Sequence, residues 1–372
     1  MKSPDYGLVG GYLFLLVFGV IMLSSVSNAV AYQKFGDSYY YLKNQLLQGV
    51  IPGLIVMTLF SMLDYKMWKK WAFPFFVGSI ILLLSVFLPG LGAELLGASR
   101  WIHIGGFSFQ PSEAVKLGFL IYIAAFFAQR GSREIQDFHA GLVPFVSSLG
   151  LVMFLIILQP DVGTMSIIVF FSMMVYFIAG APWRHLALLG AGGVFLFWLL
   201  VKIAPYRAAR ILAFMNPEAD PQGISYHINQ ALVAIGSGGL WGKGLGNSIQ
   251  KQMYLPEVVG DSIFAVIAEE MGFVVMVCFI FLLLWLFFRG LRAAYCAPDD
   301  FGKYLAAGIT FWIIFQSFIN IASMLSLIPL TGVPLPLVSY GSSSLVVTMA
   351  AIGILINISR QGGDSRGKRS FR

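Results

Sequence analysis

Apolar residues run along the chain in ten long blocks, separated by short polar breaks. A bilayer's hydrocarbon core takes about 20 apolar residues per helix. On that rule the chain is expected to cross a membrane ten times, at roughly 8–31, 44–63, 72–91, 113–129, 141–159, 163–181, 185–204, 262–288, 303–328 and 343–359. The narrowest cut is Gln159 to Val162, between the fifth and sixth blocks. The first block, Leu8 to Ala31, is too long for a signal peptide and carries no clear cleavage site, so it reads as a retained span.

Composition agrees. Of 372 residues, 58% are hydrophobic and 11% charged, whereas a soluble domain averages about 25% charged. The expectation is an all-α polytopic membrane protein with a single transmembrane domain over residues 1–372. Cys278 and Cys296 make no disulfide framework, and His103, His139, His185 and His227 are scattered without a metal-binding pair. The net charge of +7 does not point to nucleic acid, because its placement is asymmetric along the spans. With the N-terminus inside, 15 of the 24 Lys and Arg residues fall on cytoplasmic segments. The positive-inside rule then sets both termini in the cytoplasm, and the basic tail, 360–372, holds the C-terminus there beside anionic lipid.

Two outer segments are long in that orientation, 92–112 and 205–260. The second far exceeds an ordinary connection of about 4–6 residues. It keeps Ile211, Leu212, Phe214, Leu232 and Ile235, so short helices lying on the outer membrane face are expected. Its glycine-rich run, GSGGLWGKGLG, lacks the GK[ST] ending and preceding strand of a phosphate loop and reads as tight turns. Pro334, Pro336 and the run Ser339 to Ser344 interrupt the chain before the last span. Broken backbone at membrane depth must be buried or line a cavity, which points to a polar cleft on the outer side.

The stretch KQMYLPEVVGDSIFAVIAEEMGF, Lys251 to Phe273, carries the candidate chemistry. Asp261 stands where water gives way to lipid, and a carboxylate beside apolar surface can be raised in pKa and take a proton from a sugar hydroxyl. The same position also suits a helix N-cap. Helix geometry sets Glu269 about 12 Å deeper and about 80° around from Asp261, with Glu270 about 180° around. Glu269 then faces the Asp261 cleft and Glu270 another helix, or both hold the bundle together through buried pairs. Arg207 and Arg210 share a helix face and suit an anionic headgroup or pyrophosphate, or simply the interface. Glu113 and Lys116 either neutralise each other or leave Lys116 lining a cavity. Asp161, with Thr164, reads as a turn or cap, and Trp101 beside Arg100 as an interfacial aromatic or a sugar-stacking ring.

Four motifs in order, GASRWI…FQPSEAVKL, QPDVGT, GLGNSIQKQMYLPEVVGDSIFAVIAEEMGF and TGVPLPLVSYGSSSL, resemble the SEDS family (shape, elongation, division and sporulation) of FtsW- and RodA-like proteins over about Leu8 to Ile358. The third motif looks closer to the FtsW type. The resemblance implies a ten-helix glycosyltransferase of the bacterial plasma membrane that polymerises lipid II at the outer face, in division or elongation, beside a class B penicillin-binding transpeptidase. It puts the essential carboxylate on Asp261. Its substrate-binding residues fall on Arg100, Trp101, Lys116, Arg207, Arg210 and Glu269, with Ser339 and Ser343 from the fourth motif. Gly260 and Ser262 stand where the family carries Thr and Phe, His227 where it carries Gln, and Ser342 where it carries Gly.

The expected chemistry is inverting transfer, with Asp261 as general base and the outer basic residues, aided by a divalent cation (Mg²⁺ or Mn²⁺), on the leaving pyrophosphate. No organic cofactor is implied. A lipid II flippase is the alternative, kept alive by Glu269 and Glu270.

Overall fold

The computed structural model describes residues 3–88, 92–95, 98–104, 107–216, 223 and 225–362. In chain order its elements are α1 (Tyr6–Phe35), α2 (Tyr40–Met62), α3 (Lys66–Lys70), α4 (Ala72–Ser85), β1 (Gly92–Leu95), β2 (Ala98–Ile104) and β3 (Phe107–Phe109). There follow α5 (Pro111–Ala128), α6 (Ser132–Gln136), α7 (Phe138–Leu158), α8 (Val162–Ile178) and α9 (Trp183–Ile203). The last are α10 (Pro205–Met215), α11 (Tyr226–Ser237), α12 (Ile263–Tyr295), α13 (Asp300–Met324) and α14 (Ser342–Gln361).

Each of the ten expected spans has a helix. Eight are long and apolar enough to cross a membrane; α4 and α8 are shorter apolar helices. α5, α13 and α14 form the centre, with 72% of their most apolar stretch buried, against 6% for α9 at the periphery. α2 runs along α14, α4 along α5, and α13 packs on α5, α8 and α12. Where α2 meets α14 a β-carbon on Gly353 would stand 2.5 Å from the Met57 carbonyl oxygen, so only glycine lets the two backbones approach this closely. α2 and α7 each include a π-helical segment, Gln45–Val50 and Phe138–Leu142.

The start of α1 and the end of α14 meet at one end of the bundle. Asp5 caps α1 through Leu8 N at 3.1 Å, pairs with Arg289 of α12 at 2.9 Å, and its N–H donates to Ser359 Oγ of α14 at 3.4 Å. Shared sidedness of the two helix ends follows from these contacts. The residues of the tail beyond 362 lie outside the described residues.

The first of the two long segments, expected as an outer loop, contains a three-stranded antiparallel sheet in the order β1-β2-β3. The second carries α10 and α11, as its retained apolar residues suggested, followed by a run of tight turns to Ser262. Residues 325–341, between α13 and α14, are unwound yet partly buried: Val333, Leu335 and Val338 are at most 3% exposed. Several of their backbone groups are met by side chains of neighbouring helices. Gln316 donates to Pro334 O at 3.0 Å, Asn320 to Val333 O at 2.8 Å, and Gln45 to Ser339 O at 3.3 Å while accepting from Gly341 N at 3.2 Å. Interrupted helix is tolerated at depth where backbone groups find partners of this kind within the protein.

Candidate active site

Asp261 lies in the last of the turns that precede α12, and that turn is fastened to the unwound segment. Asn320 Nδ2 donates to Asp261 O at 2.7 Å, Ser339 Oγ donates to Gly260 O at 2.6 Å and accepts from Leu335 N at 2.8 Å, and Tyr340 N donates to Val259 O at 2.8 Å. Ser339, expected to bind substrate, thus holds the backbone under Asp261. Asp261 is not the helix cap. That position belongs to Ser262, whose side chain makes no capping bond. The Asp261 carboxylate, outside the spanning helix, has its pKa pushed up to about 7, first by burial and then by Glu257; its own backbone N–H, Arg210 and Ser262 pull the other way.

Arg210 is exposed on α10, where its guanidinium donates to Leu330 O at 3.3 Å, and Arg207 donates to Leu200 O at 3.2 Å. Arg210 is near enough to act on both the Asp261 carboxylate and His227, and it supplies positive charge beside the candidate base. Arg100, on β2, donates to the carbonyls of Gln159 (2.8 Å) and Pro160, pinning the hairpin to the corner between α7 and α8. Trp101 follows it, half-buried and paired with Ala93 across the hairpin. Asp161 caps α8 through Thr164 N at 3.1 Å and also accepts from Gln110 and Ser112, both at 3.3 Å. Ser343, buried, accepts from Gln110 N at 3.4 Å.

Lys116 lies in the middle of the bundle with no exposed surface. It pairs with Glu113 at 2.9 Å, donates to Gln316 at 2.9 Å and sits 5.0 Å from the Trp312 ring centre. Of the two sequence expectations, mutual neutralisation is the one this geometry matches.

Glu269 and Glu270 are also internal. Glu269 accepts from Lys243 (2.7 Å), Ser237 (3.3 Å), Ser248, and the backbone N–H groups of Ile249 (3.2 Å) and Gln250 (3.3 Å). Glu270 accepts from Lys251 at 2.8 Å and Ser25 at 2.6 Å. Glu269 holds the glycine-rich run, and Glu270 holds Lys251 and α1, beside a break in α12, where Gly272 has φ 77° and ψ 176°. The break frees backbone groups on both sides. Lys243 N and Gly244 N donate to Glu269 O and Glu270 O, each at 3.0 Å, while Phe273 N and Val274 N donate to Gly239 O (2.9 Å) and Leu240 O (3.2 Å). A β-carbon on Gly242 would lie 2.2 Å from Glu270 O, so this seam accepts only glycine. Of the two expectations for Glu269, the Asp261 cleft or a buried pair holding the bundle, the five donors of this seam match the second.

Sequence reasoning did not single out Asn320 and Gln316. The signal was present: two amides four residues apart on one face of a largely apolar helix. Among the described residues no group of three or more His, Cys, Asp or Glu side chains is placed to hold a metal ion.

Residues 8–363 match the cell cycle protein family model of FtsW, RodA and SpoVE. The chain belongs to this family. It is 42% identical to the stage V sporulation protein E of Bacillus subtilis (strain 168), over 96% of this chain and 97% of that protein. It is 39% identical to a probable peptidoglycan glycosyltransferase FtsW of Geobacter sp. (strain M18), over 93% of this chain and 94% of the relative. Among solved structures, a chain of the assembly described as "Structural coordination of polymerization and crosslinking by a peptidoglycan synthase complex" superposes with TM-score 0.79 at 28% identity, covering 98% of this chain and 100% of its own. The rod shape determining protein RodA of Thermus thermophilus superposes with TM-score 0.72 at 27% identity, covering 97% and 98%. Family membership and the multi-pass helical fold therefore stand on sequence and on shape together.

Proposed function

We propose that the chain is a peptidoglycan glycosyltransferase that polymerises lipid II at the outer face of the bacterial plasma membrane. The relatives named as peptidoglycan glycosyltransferases support the reaction class. The single observation that carries the mechanism is Asp261: a carboxylate raised to about 7, on a turn held by Asn320 and Ser339, with Arg210 nearby. A base poised near the working pH is the one best matched to taking a proton from a hydroxyl.

In the proposed step the 4-hydroxyl of the acceptor GlcNAc gives its proton to Asp261. The freed oxygen attacks C1 of the lipid-linked MurNAc, forming the new glycosidic bond with inversion, and the bond from C1 to undecaprenyl pyrophosphate breaks. Arg207 and Arg210 balance the charge that gathers on the leaving diphosphate. Arg100, Trp101 and Ser343 support the site from the hairpin and the head of α14, while Lys116 and Glu269 maintain the bundle beneath it.

A divalent cation belongs to the same proposal. Glu257 and Asp261 are close enough to influence one another. The Glu257 carboxylate plus diphosphate oxygens are the ligand type that Mg²⁺ prefers. Bound there, it would supply further charge neutralisation at the diphosphate. The superposing complex, whose description joins polymerisation to crosslinking, supports a class B penicillin-binding transpeptidase as partner. The flippase alternative leaned on Glu269 and Glu270, and their pairing with Lys243 and Lys251 supports a structural role for both.

The test is a polymerisation assay with purified protein and lipid II. The wild type should yield glycan polymer and Asp261→Asn should lose it by a factor of about 10²–10⁴, the usual share of a general base. Full polymer yield from Asp261→Asn, or flipping without polymer from the wild type, would overturn the reading.

A further inference from the structure

Ser262 holds the N-cap position of α12 but does not cap it. Serine is among the best capping residues, so a buried N-cap serine turned elsewhere needs another partner. It has two. His227 Nε2, in the first turn of α11, lies 2.6 Å from Ser262 Oγ, and Ser262 Oγ donates to Asp261 Oδ1 at 3.5 Å, the long end of a hydrogen bond. Ser262 itself has no exposed surface.

We infer that His227 and Ser262 are positioning residues for the transfer reaction, forming a two-link donor chain that reaches the Asp261 carboxylate from α11. The inference rests on Asp261 being the base.

In the proposed arrangement the chain runs from the ring toward the carboxylate. A serine hydroxyl has one proton. With that proton on Asp261 Oδ1, the bond from His227 must be given by the ring, so Nε2 carries hydrogen and Nδ1 a lone pair. Burial, with Arg210 second, pushes the His227 pKa down to about 4, which keeps the ring neutral at working pH. A donor behind the serine polarises its O–H and strengthens the bond to the carboxylate. The chain grips Oδ1. Asp261 Oδ2 is the oxygen that looks toward Gly332, where a β-carbon would lie 4.0 Å away. That oxygen is left for the incoming hydroxyl.

The charged groups around this pair are accounted for among the described residues. Arg210 comes from α10 and Glu257 from the turns before α12. α13 and the unwound segment contribute the uncharged Asn320, Ser339 and Gly332. The chain and Arg210 favour the ionised carboxylate, and burial and Glu257 oppose it.

The experiment is the pH profile of lipid II polymerisation at saturating substrate, on full-length protein whose folding is checked by thermal unfolding in detergent. Ser262→Ala removes the donor, and the acid limb should move up by about 0.5–1 pH unit, the range one neutral hydrogen bond provides. His227→Leu should move it the same way. His227→Gln, which keeps an N–H donor, should recover most of that shift. The double variant Ser262→Ala/His227→Leu should shift no further than Ser262→Ala alone, because the links act in series. If His227→Leu fails to fold, the Ser262→Ala and His227→Gln profiles still decide. A Ser262→Ala profile superimposable on wild type overturns the chain. Asp261→Asn separates the two claims. Wild-type activity in that variant overturns the base reading itself, whereas loss of activity there with an unshifted Ser262→Ala profile overturns only the chain.

Discussion

Asn320, buried in α13, donates through Nδ2 to the backbone carbonyl of Asp261 at 2.7 Å, and through the same nitrogen to Val333 at 2.8 Å. One amide thus joins the turn carrying the candidate base to the unwound segment before α14. Asn320→Leu leaves the buried Val333 carbonyl and the part-buried Asp261 carbonyl without this donor, and the buried one alone costs about 1–3 kcal/mol. The expected result is a lower melting temperature in detergent, with a drop in kcat larger than the change in KM, because the base is mispositioned rather than the substrate released.

The raised pKa of Asp261 sets a pH dependence of stability as well as of rate. Between its ordinary value of 3.8 and about 7 the folded chain holds a proton that the unfolded chain has lost. Stability from this group therefore falls as pH rises through that window and is lowest above it. Asp261→Asn should melt higher than wild type at pH 8, and the gap should close toward pH 4. Polymerisation should run opposite, rising as pH passes through about 7, where the base becomes ionised. Unfolding scans and initial rates over the same buffers check both.

Glu269→Ala takes the acceptor from Lys243 and four further donors of the seam. Lys243 is partly exposed and can turn to water, but each buried donor left without its acceptor costs about 1–3 kcal/mol. Glu269→Gln, which keeps the shape and an acceptor oxygen, should lose less. Gly242→Ala should be worse than an ordinary surface change, since its backbone is left-handed (φ 79°) and the methyl meets Glu270 O. Yield of folded protein from membranes, together with melting temperature, ranks the three.

Chelation tests the proposed cation. EDTA should slow polymerisation, Mg²⁺ or Mn²⁺ should restore it, and Glu257→Gln should raise the metal concentration needed for half-maximal rate. An EDTA-treated protein running at full rate would remove the cation from the mechanism.

The spans were legible because the bilayer requires about 20 apolar residues in succession, a demand written locally in the chain. The short hairpin over 92–109 was not, because strands of three to seven residues leave no periodic signal beside the spans that flank them. Asp261 was legible from its place at the foot of an apolar helix. The partners of Glu269 and Glu270 were not, since Lys243 and Lys251 are 26 and 19 residues away in sequence. Only the break at Gly272 brings them alongside. Ser262 and His227 were visible singly as departures from the family pattern. Their contact appears only when α11 folds onto α12.

The glycine seam makes α12 two rods joined at a riveted hinge. Bilayers differ in thickness, and a long helix answers by tilting. With the joint at Gly272 clamped from the side, the shorter rod, Ile263 to Met271, is tied to the glycine-rich run as well as to the longer rod beyond it. A tilt of the longer rod would reach the carboxylate ahead of the shorter one only through a joint that the seam restrains.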